Sequence, residues 1–194
     1  LEPNDTNYPD QWHLPHIHAP EFWAMNTGGL THKGDTIVIA IIDQGFDLNH
    51  EDFQGNIWNN KDETPNDGID NDNNGFVDDI NGWNFTTNSP NFELDIHGNY
   101  VFGALGAKGN NNKGVSGVNW DVKTMLFSIS SDVEIVQAYE YIRAQRIKYN
   151  QTNGAEGAFI ISTNLSLGLS NQFAEDYPEW CEMYNLLGDA GILN

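Results

Sequence analysis

An α/β fold with a mainly parallel sheet is what this sequence predicts, and two observations carry the prediction. Short apolar, β-branched runs recur at 37–42, 122–129 and 159–165, and stretches of helical character separate them. Strands alternating with helices read as parallel βαβ units, whose strands are buried on both faces by helical layers. A length of 194 residues with 39% hydrophobic content suffices for one domain with a substantial core and is too short to expect two.

The elements follow in chain order. Residues 1–33 are rich in Pro, Asn, aromatics and His, and "QWHLPHIHAPEFW" reads as an arm that packs on a body. His13, His16, His18 and His32 lack the spacing and the Cys or Glu partners of a metal site, so surface packing is expected of them. The run "TIVIAIIDQGFD" is a core strand that ends, unusually, on a carboxylate, Asp43. A polar span rich in Asn, Asp and Gly fills 56–94. "HGNYVFGALGA" is small and apolar on all sides, which predicts a buried helix over 97–107. After the turn "KGNNNKG" and the strand at 122–129, Ser131 and Glu134 stand at capping-box spacing. The helix they open keeps Ile135, Ala138, Tyr139, Ile142 and Arg146 on one face. The third strand, 159–165, runs into "SLGLS", a last helical stretch lies around 178–187, and "GILN" reads as the start of a further strand.

Composition narrows the function. With 8 Lys+Arg against 28 Asp+Glu the formal charge is −20, a field that repels phosphate backbones and anionic headgroups, so neither nucleic acid nor membrane is expected as a partner. No run is apolar enough over the length a bilayer demands. Cys181 is the sole cysteine, which rules out an intrachain disulfide, and its setting, "YPEWCEMYNLL", suggests packing. A chain that begins at Leu1 without an apolar leader suggests a processed product.

Chemistry is expected where parallel strands end, because loops and helix N-termini converge there. Asp43 sits at such an end; it either caps the following turn or is reactive. A phosphatase-like reading wants a second acid two residues on, where Gly45 stands instead. His97 opens the Gly-containing helix and is open to two readings, a satisfied core histidine or a base. Together the two make a sharper proposal: a buried carboxylate on one imidazole nitrogen fixes the tautomer and frees the other nitrogen as a base.

"TIVIAIIDQGFDLNHEDF", then "DIHGNYVFGALGAKGNNNKGVSGVNWDVKTM", then "FIISTNLSLG" resembles, in order, the amino-terminal part of the catalytic domain of a subtilisin-like serine protease, a subtilase. The resemblance implies a three-layer α/β/α domain over 1–194, peptide-bond hydrolysis by an Asp–His–Ser triad, and a secreted or extracytoplasmic location. It makes Asp43 the orienting acid and His97 the general base. It makes Ser166, Leu167 and Gly168 the lining of a cleft that takes an extended polypeptide substrate by strand addition. Two positions depart from the family's pattern: Gln44 stands where Thr or Ser usually follows the acid, and Asn99 and Tyr100 follow His97–Gly98 where a small hydroxyl residue and often a second His stand. Ser162, Ser166 and Ser170 are not in a Gly-Thr-Ser setting, so none is assigned as nucleophile. The resemblance therefore implies that the remainder of the catalytic domain, in the same precursor or a second chain, supplies the serine and the oxyanion donors, and that this chain alone is inactive. The alternative is a non-catalytic protein that binds calcium or peptides.

The acidic span offers a second site. In "NDGIDNDNNGFVDDINGW", Asp70, Asp72 and Asn74 occupy positions one, three and five of a calcium-loop pattern, with Gly75 at six, the Phe76 carbonyl at seven and Asp78 at nine. Asn81 holds position twelve, so the closing carboxylate is expected from Asp79, Asp67 or elsewhere. A structural Ca²⁺ is the expected cofactor, and such inserts also occur in some secreted subtilases.

Overall fold

The computed structural model describes residues 1–194. Its centre is a four-stranded, all-parallel sheet of β1 (Val38–Asp43), β2 (Gly82–Asn84), β3 (Lys123–Ser128) and β4 (Ile160–Leu165), in the order β2-β3-β1-β4. Strand alternation sorts side chains to two faces. Ile41 and Leu126 point to one, where they pack with Phe46, Phe53 and Phe102 of α3 (Ile96–Gly106). Ala40, Ile42, Met125 and Phe127 point to the other, onto α4 (Asp132–Thr152) and α5 (Pro178–Asp189). The predicted face of α4 is the one that packs, with Ile135, Ala138, Tyr139, Ile142 and Arg146 all buried. Each fully buried Leu, Ile or Phe contributes about 1.5–3 kcal/mol, so the two clusters fix which helix lies on which side.

Helix ends are set by local chemistry. Ser131 Oγ accepts from Glu134 N–H at 3.4 Å, and the Glu134 carboxylate accepts from Ser130 N–H at 2.5 Å, one residue ahead of a standard capping box. Asp95 caps α3, its Oδ1 accepting from His97 N–H at 2.8 Å and from Gly98 N–H at 3.3 Å.

The arm carries two short helices, α1 (His13–His16) and α2 (Ala19–Trp23), and packs as expected of it. Leu14, Ala19 and Trp23 bury against Trp120, and Trp23 Nε1–H donates to the Val118 carbonyl at 2.9 Å. Asp5 holds the 109–115 turn by accepting from Asn110 N–H at 2.8 Å and Asn111 N–H at 2.9 Å.

Three elements differ from the expectation. The polar span contributes β2, a strand of only three residues, too short for a periodicity to register. A Cβ on Gly82 would lie 1.9 Å from the Leu126 carbonyl oxygen, so β2 meets β3 only because position 82 is glycine. α3 is buried on one face and open on the other: Gly98, Phe102, Gly103 and Gly106 are buried, whereas Ile96 and Tyr100 are exposed. Gly98 lets the helix approach the loop after β1 and Gly106 lets it approach Val122 and Thr124, while the opposite face stays outside. The last residues make one parallel bridge, Ser162 with Leu193, and no strand.

Candidate active site

Asp43 ends β1 at the carboxyl edge of the sheet, with a side chain 2% exposed, and His97 lies in the first turn of α3. His97 Nδ1 stands 2.9 Å from both carboxylate oxygens of Asp43. A carboxylate accepts, so Nδ1 carries the proton and Nε2 keeps its lone pair. The ring is 57% exposed. The Asp43 carboxylate raises the His97 pKa above its ordinary value, first through the hydrogen bond and then through charge, with Asp95 adding to it and burial opposing it.

Glycine makes the approach of α3 to the strand end possible. A Cβ on Gly98 would lie 2.1 Å from the Gly45 carbonyl oxygen, and one on Gly45 would lie 2.2 Å from the Glu93 carbonyl oxygen. Gly98→Ala is therefore expected to push His97 away from Asp43 and to cost about 1–3 kcal/mol of stability, as overpacking does. Thermal denaturation together with an NMR titration of His97 checks it: an unchanged melting temperature and an unchanged imidazole pKa would refute the close-packing account.

The two departures flagged in the sequence have structural roles. Gln44 supports the acid by its main chain, its N–H donating to Asp43 Oδ1 at 2.8 Å, a bond any residue there except proline supplies. Asn99 Oδ1 accepts from Asp47 N–H at 2.9 Å and ties α3 to the loop after β1. Tyr100 is largely exposed.

Asp43 and His97 open onto a cleft of about 610 Å³ shared with Ser166, Leu167 and Gly168, the segment that leaves β4. Ile129, Ile135, Leu165 and Tyr177 also line it. The Ser166 hydroxyl accepts from Asn164 Nδ2 at 3.0 Å, and no hydroxyl hydrogen-bonds to His97.

The acidic loop folds around its own carboxylates. Asp70 Oδ1 and Asp72 Oδ1 each accept from Asn74 N–H at 3.0 Å, Asp70 Oδ2 accepts from Gly75 N–H at 2.8 Å, and Gly75 takes the positive φ expected of it. Beside Asp70 and Asp72 stands Glu63, a residue the loop pattern did not mark; an oxygen from each of the three lies within 4.8 Å of the others. Glu63 Oε1 accepts from Asn71 N–H at 2.7 Å and Asp72 N–H at 3.0 Å, while Oε2 is buried without a donor. An orphaned carboxylate oxygen beside two further carboxylates fits a hard divalent cation with oxygen ligands.

The remaining candidates of the loop also make contacts of their own. Asn74 Oδ1 accepts from Phe76 N–H at 2.8 Å, and the Phe76 ring packs edge-on against Trp83, Phe85 and Tyr141. Asp78, at φ 57°, accepts from Asp67 N–H at 3.2 Å and Gly68 N–H at 3.1 Å. Asp79 is fully buried and accepts from Tyr141 O–H at 2.5 Å, Asn74 Nδ2 at 2.7 Å and Asn60 Nδ2 at 2.9 Å. Burial pushes the Asp79 carboxyl up to about 6 from 3.8, and its three donors hold it from rising further. A folded-state pKa above the unfolded one means that the cost of burying this charge is present above about pH 6 and is relieved as pH falls toward 3.8. Tyr141→Phe removes one donor from a buried carboxylate and is expected to destabilise by about 1–3 kcal/mol at neutral pH, less at acid pH, by urea denaturation.

A buried acid thus meets a helix-borne histidine at the carboxyl edge of a parallel sheet. Residues 34–192 match the Subtilase family of S8 peptidases. Subtilisin-like protease 1 of Plasmodium berghei (strain Anka) is 38% identical over 127 residues, covering 64% of this chain and 21% of that protein. Its counterpart from Plasmodium falciparum (isolate 3D7) is 47% identical over 97 residues, 49% of this chain and 14% of the relative. The major intracellular serine protease of Bacillus subtilis (strain 168) is 29% identical over 126 residues, 65% of this chain and 32% of the relative. Among solved structures, a protease from Pseudoalteromonas arctica PAMC 21717 superposes over 100% of this chain and 58% of its own with a TM-score of 0.65, at 22% identity, a likeness of fold. The chain belongs to the subtilase family. It spans about a fifth of the length of the first of these relatives.

Proposed function

We propose that the full-length protein is a serine endopeptidase, with Asp43 as the acid that orients and His97 as the general base. The observation that carries this reading is the bond from His97 Nδ1 to the buried Asp43 carboxylate at 2.9 Å, which leaves Nε2 free. In the proposed reaction Nε2 takes the proton of a serine hydroxyl as its oxygen attacks the peptide carbonyl, Asp43 stabilises the imidazolium, and His97 returns the proton to the leaving amine. The serine and the oxyanion donors are proposed to come from sequence outside residues 1–194, in the same precursor or a companion chain, so that these residues alone hydrolyse nothing. Ser166, Leu167 and Gly168 would hold the substrate as an added strand, offering main-chain groups to an extended polypeptide. A secreted or extracytoplasmic location goes with this reading.

The same proposal includes a structural Ca²⁺ held by Glu63, Asp70 and Asp72. When bound, the ion supplies charge neutralisation to the loop that ends in β2; the chemistry of hydrolysis stays with Asp43 and His97. A fluorophosphonate probe tests the enzyme reading: covalent labelling of the full-length protein, or of a companion chain, lost on pre-incubation with a peptide substrate, is expected. A folded full-length protein that neither labels nor cleaves any polypeptide would instead support the non-catalytic, peptide- or calcium-binding alternative.

A further inference from the structure

We propose that Ser128 is a positioning residue for the Asp43–His97 pair, its hydroxyl donating to the Asp43 carboxylate through one buried water. The inference rests on the reading of Asp43 and His97 as acid and base. Ser128 is the last residue of β3 and stands in register with Asp43 on β1. In a parallel pair, residues in register project to the same face, and the neighbouring pair on that face, Ile41 with Leu126, packs with α3. The side chains of Ser128 and Asp43 therefore project to the same face, the one that carries His97.

Both groups have capacity left. Ser128 is 1% exposed and its Oγ has no hydrogen-bond partner. Asp43 Oδ1 accepts from Gln44 N–H and from His97, while Oδ2 accepts from His97 alone. A buried hydroxyl left unpaired costs about 1–3 kcal/mol, and two polar side chains stand in register with it: Asn84 on β2, whose Oδ1 already accepts from Thr87 N–H and whose Nδ2 donates to the Asn91 carbonyl, and Asp43 on β1, whose Oδ2 has an open lone pair. A donor on that oxygen fixes the carboxylate plane against rotation and weakens its pull on the imidazolium proton.

The charged and titratable groups around the pair are Asp95 on α3, and Asp132 and Tyr177 across the cleft. None of these changes in the test, which compares Ser128→Ala, Ser128→Thr and Ser128→Val in the full-length protease. Thr and Val add the same volume and differ by the hydroxyl. Ala and Val are expected to raise the His97 pKa measured by NMR, to move the acid limb of kcat/KM to higher pH, and to lower kcat roughly three- to tenfold with KM unchanged. Thr is expected to keep the parent pKa and pH profile. If Ala, Thr and Val share the parent's His97 pKa, the proposal is overturned. The NMR titration needs no turnover, so a folded but inactive protein would sink the protease reading while the Ser128 contact is still judged.

Discussion

Under the proposed endopeptidase reading, Asp43→Asn in the full-length protein is expected to lower kcat by about four orders of magnitude with KM little changed. The carboxylate does three things that a carboxamide cannot do together. It accepts from Nδ1–H with either oxygen at 2.9 Å, it fixes the tautomer that leaves Nε2 basic, and it stabilises the imidazolium once the proton has arrived. An Asn presenting its NH₂ to the ring would select the tautomer with Nε2 protonated, useless as a base. The same substitution removes the leading cause of the raised His97 pKa, so the imidazole should titrate at lower pH than in the parent. The sign follows from the roles: the base must be neutral, so the acid limb of kcat/KM reports the His97 pKa, and in the parent it lies above that of an ordinary histidine. Steady-state kinetics across pH, read beside an NMR titration, tests both parts. Parent-like kcat in Asp43→Asn would remove Asp43 from the mechanism.

Removal of the proposed Ca²⁺ has the second large expected effect. EDTA is expected to lower the melting temperature of the full-length protein by about 5–10 °C, which is what loss of a ligand present at a hundred times its Kd produces in a domain of this size. Glu63→Gln keeps the shape of the side chain and removes the charge on the buried oxygen that lacks a donor. It should raise the calcium concentration needed to restore stability and should shrink the EDTA effect. Elemental analysis and melting curves at graded calcium check this. If EDTA and Glu63→Gln both leave the melting temperature where it was, the loop is held by its Asx hydrogen bonds alone.

Much of this architecture was legible in the residues. The apolar runs gave their strands to within a residue or two because a strand buried on both faces tolerates little else. Ser131 and Glu134 announced the start of α4, and the spacing of Ile135, Ala138, Tyr139 and Ile142 named its buried face. β2 was invisible because three residues cannot show a period and their neighbours are turn formers. α3 misled because small residues look apolar on every side, although the glycines serve close approach on one side only. Asp70, Asp72 and Gly75 could be picked out by loop spacing. Glu63 could not, since it reaches the loop from a preceding turn and no fixed offset connects them.

The sequence by itself determined the places of β1, β3 and β4, the acid at the end of β1 and the histidine at the head of α3, because each is a local pattern of polarity and turn chemistry. Only the tertiary structure decided that Nδ1 of His97 meets both oxygens of Asp43, that Gly98 is what lets it, that Glu63 turns back onto Asp70 and Asp72, and that Ser128 comes into register with Asp43 from far away in the chain. The physical reason is range: periodicity and capping act over one or two turns, whereas register and close packing join residues that no local spacing relates.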